Sequence, residues 1–167
     1  LEQTFKEFKV YAVIDGSPDR SIDIVKEYEK KDDRIKCIDK ENGGYGSVLE
    51  YSINNIESKY FLICDPDDWL APNALEELYN IAEQNSCDIV IGDKYLVYTN
   101  DNSEKYCSSK VDTSQILEGK VYENKEASKL ADLTVSPHSK LFRTEIAKGI
   151  NFPKKVSYTD YLLFLVS

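Results

Sequence analysis

Three carboxylates, Asp65, Asp67 and Asp68, fall within four positions directly after the apolar run Tyr60-Phe61-Leu62-Ile63-Cys64. A fourth, Asp15, closes the run from Lys9 to Ile14 and opens the turn Asp15-Gly16-Ser17-Pro18-Asp19. Like charges packed this closely repel, and they persist best around a cation or in full contact with water. Mg²⁺ and Mn²⁺ prefer carboxylate oxygens and are commonly held by one or two of them plus phosphates of a ligand. A cation at Asp65, Asp67 and Asp68 would bridge a diphosphate and stabilise it as a leaving group. The remaining carboxylates could accept hydrogen bonds from a ribose or a base. The competing explanations are local: negative charge ahead of a helix favours its dipole, and Asp15 suits turn chemistry. Three acidic groups exceed what a helix start requires, so the metal reading is preferred for that cluster.

Three further groups are candidates. Asn42-Gly43-Gly44 precedes a helix, where glycines allow close backbone approach to a ligand and a helix N-terminus can face an anion. The stretch matches neither G-x-x-x-x-G-K-[ST] nor G-x-G-x-x-G, so a Walker loop is excluded and a dinucleotide fingerprint is disfavoured. A plain tight turn is its simpler explanation. His138 is the sole histidine, in Ser136-Pro137-His138-Ser139-Lys140; a lone loop histidine is more often a surface or hydrogen-bonding residue, with contact to a metal or substrate the alternative. Asp160, in Tyr158-Thr159-Asp160-Tyr161, either caps a helix through the apolar tail or serves as a base.

The elements that must position these groups alternate. Strands are expected from Lys9 to Ile14, Arg34 to Ile38, Tyr60 to Cys64 and Asp88 to Gly92. Helices are expected from about Ser21 to Lys31 (Ile22, Val25 and Tyr28 inward), after Gly44 (Val48, Leu49, Ile53 and Ile56), and from Pro72 to about Asn85 (Leu75, Leu78, Tyr79 and Ala82). Ser17, Asp19 and Ser21 are plausible caps for the first helix. A β-α-β-α-β-α-β order implies parallel strands with helical crossovers, and ligands bind outside the carboxyl ends of such strands. Beyond residue 93 the pattern changes. Lys94 to Thr99 is extended, Tyr106 to Val111 suits an edge strand, and Asn124 to Asp132 suits a helix. This second half reads as an extension of one domain, 1–167, divided into residues 1–99 and 100–167.

The 167 residues carry a net charge of −9, which disfavours nucleic acid and anionic membrane surfaces as partners. A phosphorylated ligand would need local compensation from a metal or from backbone N–H groups. Cys37, Cys64, Cys87 and Cys107 form no C-x-x-C pair, so a zinc knuckle is disfavoured; Cys37 and Cys64 read as small core residues, and a reduced, cytoplasmic compartment fits. No apolar run reaches the roughly 18 residues of a membrane span, and no signal peptide is recognisable. The absence of methionine and the abrupt ends at Leu1 and Ser167 suggest a piece of a longer chain.

The order Val13-Ile14-Asp15-Gly16-Ser17-Pro18-Asp19-Arg20-Ser21, then Asn42-Gly43-Gly44, then Asp65-Pro66-Asp67-Asp68 with Pro72, resembles family 2 glycosyltransferases of the GT-A fold. The resemblance runs from about Leu1 to Gly92 and, more loosely, from Ser136 to Phe164. It implies an α/β, Rossmann-like, mostly parallel sheet flanked by helices, with a short mixed or antiparallel extension. It places the family's first strand before Leu1. It implies an inverting transfer of a sugar from a nucleotide-sugar, a UDP-sugar in the first instance, with Mn²⁺ or Mg²⁺. The acceptor would be a glycan, polysaccharide or wall polymer, at the inner face of the membrane in the full-length protein. Asp15 would match the family's acidic residue at the nucleotide base, and Gly16, Ser17, Asn42, Gly43 and Gly44 would bind the nucleotide-sugar with it. Asp65 and Asp67 would form the D-x-D motif at ribose and metal, and Asp68 would stand beside the metal or donor sugar. Asp160 would be the general base, and His138 would lie near the acceptor pocket. Ile14 stands where the family often has another Asp, and Tyr45-Gly46-Ser47 replaces a common Ala-Arg-Asn; both shift the expected donor contacts. Two other classes stay open: a nucleotide-binding scaffold without turnover, and a metal-dependent phosphoryl-transfer enzyme. The latter lacks D-x-D-x-[TV], because Trp69 occupies the last position.

Overall fold

The computed structural model describes residues 1–110, 116–123, 125–126, 136–156 and 163. They form two compact units, Thr4–Lys59 with Thr144–Ser167, and Leu1–Gln3 with Tyr60–Arg143. Both units draw on residues from either side of position 99.

In the first unit, β1 (Val10–Asp15) and β2 (Ile35–Lys40) pair in parallel, from Val10 opposite Ile35 to Asp15 opposite Lys40. The crossover is α1 (Ser21–Glu29). Asp19 accepts hydrogen bonds from the Ser21 amide and the Ser17 hydroxyl, both at 2.9 Å, so the carboxylate secures a first-turn N–H. Tyr28, expected inward, is half exposed, with the Lys31 ammonium 5.2 Å from its ring centre. The second helix, α2 (Tyr45–Asn55), buries Leu49 and Ile53, and Ile56 just past its end is buried as well. This is the helical stripe anticipated from the sequence.

The second unit differs from the expected parallel run in one respect. Strands β3 (Tyr60–Leu62) and β4 (Ile89–Ile91) do not pair with each other, although α3 (Ala74–Asn85) joins them as expected. Beyond β4, the extension supplies an antiparallel hairpin, β5 (Lys94–Val97) with β6 (Glu104–Cys107). It also supplies β7 (Lys140–Arg143), which lies antiparallel between β3 and β4. Both flanking strands therefore still run in the same direction. Phe142 on β7 stacks on Phe61 of β3 with ring centres 5.4 Å apart. Leu78, Ala82, Val90 and Leu141 complete the core. Burying each of the Phe, Leu and Val side chains contributes about 2 kcal/mol.

The acidic loop between β3 and α3 is tied down from a distance. Buried Gln3 donates to the Ala71 carbonyl at 2.7 Å and accepts from the Leu75 amide at 3.1 Å, a first-turn N–H of α3. The helix starts two residues beyond Pro72. Cys64, expected in the core, is an exposed residue, because the β3 ladder ends at Leu62. All four cysteines are free. After β7 the chain enters the short α4 (Thr144–Ala147), and Ala147, Phe152 and Leu163 are buried. Apart from residues 125 and 126, the helix expected from Asn124 to Asp132 lies outside the described residues, as does the end of the strand expected to reach Val111. No helix of the described residues is long and apolar enough to cross a membrane.

Candidate functional site

Each unit holds one cluster of the residues singled out in the sequence. In the first unit the parallel register brings the ends of β1 and β2 level, so the Asp15 carboxylate meets the Lys40 ammonium in a direct ion pair. The turn after β2 folds back over the same carboxylate. Asp15 Oδ1 accepts from the Gly43 amide at 3.0 Å, and Oδ2 accepts from the Gly44 amide at 2.8 Å. The Asn42 side-chain amide donates to the Asp15 carbonyl at 2.9 Å. Lys40 Nζ also reaches the Ser47 hydroxyl and the Glu41 carbonyl, each at 2.8 Å. Burial pushes the Asp15 carboxyl up, but Lys40 and the two glycine amides outweigh it and hold the group below the usual carboxylate range.

Two glycines are required here. Gly16 has φ +66°, and a side chain on it would stand 2.9 Å from Asn42 Cβ. Gly44, which precedes α2, has φ +80°, and a side chain there would stand 3.0 Å from the Lys155 amide nitrogen. That Lys155 amide donates to the Gly43 carbonyl at 3.1 Å. The turn forms one wall of an open cavity of about 620 Å³, lined also by Lys40, Ser47, Tyr51, Lys154 and Lys155. In a chain of net charge −9, these lysines give a local positive contribution, set against Glu41 and Glu50 on the same lining.

In the second unit Asp65 and Asp68 are drawn into one turn by the Asp68 amide, which donates to the Asp65 carbonyl at 3.0 Å. Between their carboxylates sits the imidazole of His138. Its Nε2 is 3.8 Å from Asp65 Oδ2, and its Nδ1 is 3.6 Å from Asp68 Oδ2. Both separations exceed a hydrogen bond. Nδ1 is buried and has no hydrogen-bond partner. Asp67 is exposed, as is Trp69.

The loop carrying His138 is itself anchored. Ser139, with φ +58°, donates its hydroxyl to the Gly92 carbonyl at 2.9 Å and accepts the Gly92 amide at 2.8 Å. Fully buried Lys140 donates to the Ser136 carbonyl. Burial, with Lys94 nearby, pushes the Lys140 ammonium down to about 8. Neither Lys40 nor Lys140 was picked out from the sequence. Lys40 became visible only through the strand register, since β2 runs two residues beyond its expected end at Ile38.

No group of three or more His, Cys, Asp or Glu side chains among the described residues has an arrangement that holds a metal ion. The donor chemistry nevertheless suits a divalent cation. Asp65 and Asp68 offer hard oxygens, His138 offers a buried nitrogen without a partner, and ligand phosphates commonly complete such a sphere. Asp160 lies outside the described residues.

The sequence profile of the family described as "Glycosyl transferase family 2" matches residues 1–150. The chain is 29% identical over 159 residues to "Glycosyltransferase GlyA" of Streptococcus pneumoniae, an alignment covering 91% of this chain and 22% of that protein. It is 26% identical to "Glycosyltransferase GlyG" of the same organism, covering 96% of this chain and 55% of that protein. The chain thus spans between about a fifth and about half of the length of these curated relatives. Among solved structures, the crystal structure of residues 1–349 of S. aureus TarS superposes with a TM-score of 0.73 at 24% identity, over 98% of this chain and 47% of that one. The GT-A type α/β fold expected from the sequence, parallel and antiparallel pairings included, agrees with that likeness.

Proposed function

The chain belongs to glycosyl transferase family 2, and on that premise we propose that it forms the donor-binding part of an enzyme that moves a sugar from a nucleotide-sugar, a UDP-sugar, to a glycan or wall-polymer acceptor with inversion. The observation that carries this reading is the His138 imidazole set between Asp65 and Asp68 at the carboxyl end of β3, with its Nδ1 buried and unpaired. A buried nitrogen of this kind costs free energy unless a ligand or a bound water satisfies it.

The roles follow the chemistry. The turn of Asn42, Gly43 and Gly44, held by Asp15 and with Gly16 and Ser17 across from it, takes the nucleotide. Asp65 and Asp67 take the ribose and a Mn²⁺ or Mg²⁺ ion; Asp68 stands at the metal or donor sugar, and His138 offers a nitrogen donor there or lines the acceptor side. When bound, the cation neutralises charge on the departing diphosphate. Asp160 removes the proton from an acceptor hydroxyl, whose oxygen bonds to the anomeric carbon as the bond to the diphosphate oxygen breaks on the opposite face. Placing the acid groups at strand ends lets a rigid sheet hold them while loops vary. The acceptor assignment, and a site of action at the inner membrane face, rest on the family resemblance alone.

The test is sugar transfer by the intact protein carrying Asp67→Ala. Loss of transfer with the fold retained is expected; undiminished transfer would remove Asp67 from the site.

A further inference from the structure

Asp15 has a different use from the one its motif suggests. Its side chain is only 19% exposed, and both oxygens are occupied: Oδ1 by Lys40 and the Gly43 amide, Oδ2 by the Gly44 amide. Lys40 in turn is only 16% exposed and is spread over Asp15, Ser47 and the Glu41 carbonyl. These contacts close a ring from the end of β1, across the end of β2, through the turn, and into the first turn of α2. The Ser47 hydroxyl completes it by donating to the Gly44 carbonyl at 2.8 Å. Asn42 and Lys155 add a second tie on each side of the turn.

The geometry points to Asp15 and Lys40 as a positioning pair. Asp15 holds the Gly43–Gly44 backbone in place, Lys40 supplies the charge that lets Asp15 do so, and the donor nucleotide meets the turn and not the Asp15 carboxylate. This rests on the donor-site reading for its ligand, but not for its structural half. A carboxylate already accepting two amides and an ammonium has little capacity left for a base N–H. Lys40 is the partner that makes this arrangement specific. Without it, a largely buried carboxylate would face two amides with no counter-charge, and only those amides would oppose the pull of burial on Asp15.

The experiment uses the intact protein and three variants, Lys40→Met, Lys40→Arg and Asp15→Asn. Thermal melting first confirms that each folds. Two quantities are then read: hydrogen exchange at the Gly43 and Gly44 amides without ligand, and affinity for UDP in the presence of Mn²⁺. The expected result for Lys40→Met and Asp15→Asn is faster exchange at both amides together with UDP binding weakened about tenfold or more, the loss of one charge-assisted hydrogen bond. Lys40→Arg, which keeps the charge, should restore most of both. Weaker UDP binding in Asp15→Asn with the two amides still protected would overturn the proposal, because Asp15 would then touch the nucleotide itself. Faster exchange with unchanged UDP affinity would also overturn it, because the turn would not matter to the donor. If the wild-type protein does not bind UDP at all, the donor reading falls; exchange at the two amides then decides alone whether the pair holds the turn.

Discussion

The Asp15 cluster and the Asp65–Asp68–His138 cluster both stand at the carboxyl end of a strand, yet they differ in how their polar groups are used. Around Asp15, the carboxylate oxygens, the Lys40 ammonium, the Asn42 amide and the Ser47 hydroxyl all find partners inside the protein. Around His138, the facing carboxylate oxygens lie 3.6 and 3.8 Å away, and one buried ring nitrogen has no partner. The first arrangement is complete without a ligand and shapes backbone; the second leaves a buried ring nitrogen open to one. Acidic residues of similar motif standing can therefore serve opposite ends, one as part of the frame and one as part of the chemistry. Changes to the first should move stability and nucleotide binding together. Changes to the second should move catalysis and leave stability nearly unaltered.

The largest expected effect tests the frame beneath the second cluster. Phe142→Ala removes a side chain that is 1% exposed and stacked on Phe61 in the strand joining β3 to β4. A loss of about 3–5 kcal/mol is expected, read as a lower denaturation midpoint with an unchanged m-value. Next, Asp68→Asn removes charge beside His138 without removing bulk. Sugar transfer should fall by about a hundredfold or more, as when a group that stabilises developing charge is lost, while the melting temperature holds or rises slightly. A melting temperature that fell with the activity would erase the contrast between the two clusters.

Gly44→Ala addresses the first cluster through the backbone. With φ +80° and the Lys155 amide nitrogen 3.0 Å from the new methyl group, it should cost about 1–3 kcal/mol in urea denaturation. UDP affinity should fall with it.

Acid sharpens the comparison further. The Asp15 carboxyl titrates below its usual value of 3.8 when folded, because Lys40 and two amides outweigh the opposing effect of burial. A depressed carboxyl contributes stability that is fully present above that usual value and is lost as pH falls through the folded value. The stability gap between wild type and Asp15→Asn should therefore be widest near neutral pH and narrow below about pH 4. A gap independent of pH would mean that charge is not what Asp15 contributes. The smallest effect is expected from Ser47→Ala, which deletes one partner of Lys40 and one of the Gly44 carbonyl. About 1 kcal/mol should be lost by chemical denaturation, with UDP binding only slightly weaker.

How much of this was legible in the sequence follows from the range of the interactions. The helical stripes of α2 and α3 were readable because Leu49, Ile53, Leu78 and Ala82 recur at a local period. The end of β1 was readable to within one residue because turn residues follow its apolar run, whereas β3 stops at Leu62, two residues short of the apolar run that suggested it. Strand β7 was not readable. Only Leu141 and Phe142 are apolar, between Lys140 and Arg143, and what makes them a strand is pairing with β3 and β4, roughly eighty and fifty residues away. The same applies to Gln3, whose tie to Ala71 and Leu75 has no local signature. For the candidate site, the motif residues were visible, but their uses were not. That Asp15 meets Lys40 depends on a strand register, and that His138 stands between Asp65 and Asp68 depends on how two distant loops fold within one unit.

The most direct test of the central claim is calorimetric titration of UDP into the intact protein, once with Mn²⁺ and once with EDTA, with GDP as the control nucleotide. The account predicts saturable UDP binding that EDTA abolishes. It also predicts that Asp68→Asn weakens the binding in Mn²⁺ while sparing the fold. UDP binding of equal strength with and without the metal, or no binding of either nucleotide, would contradict it.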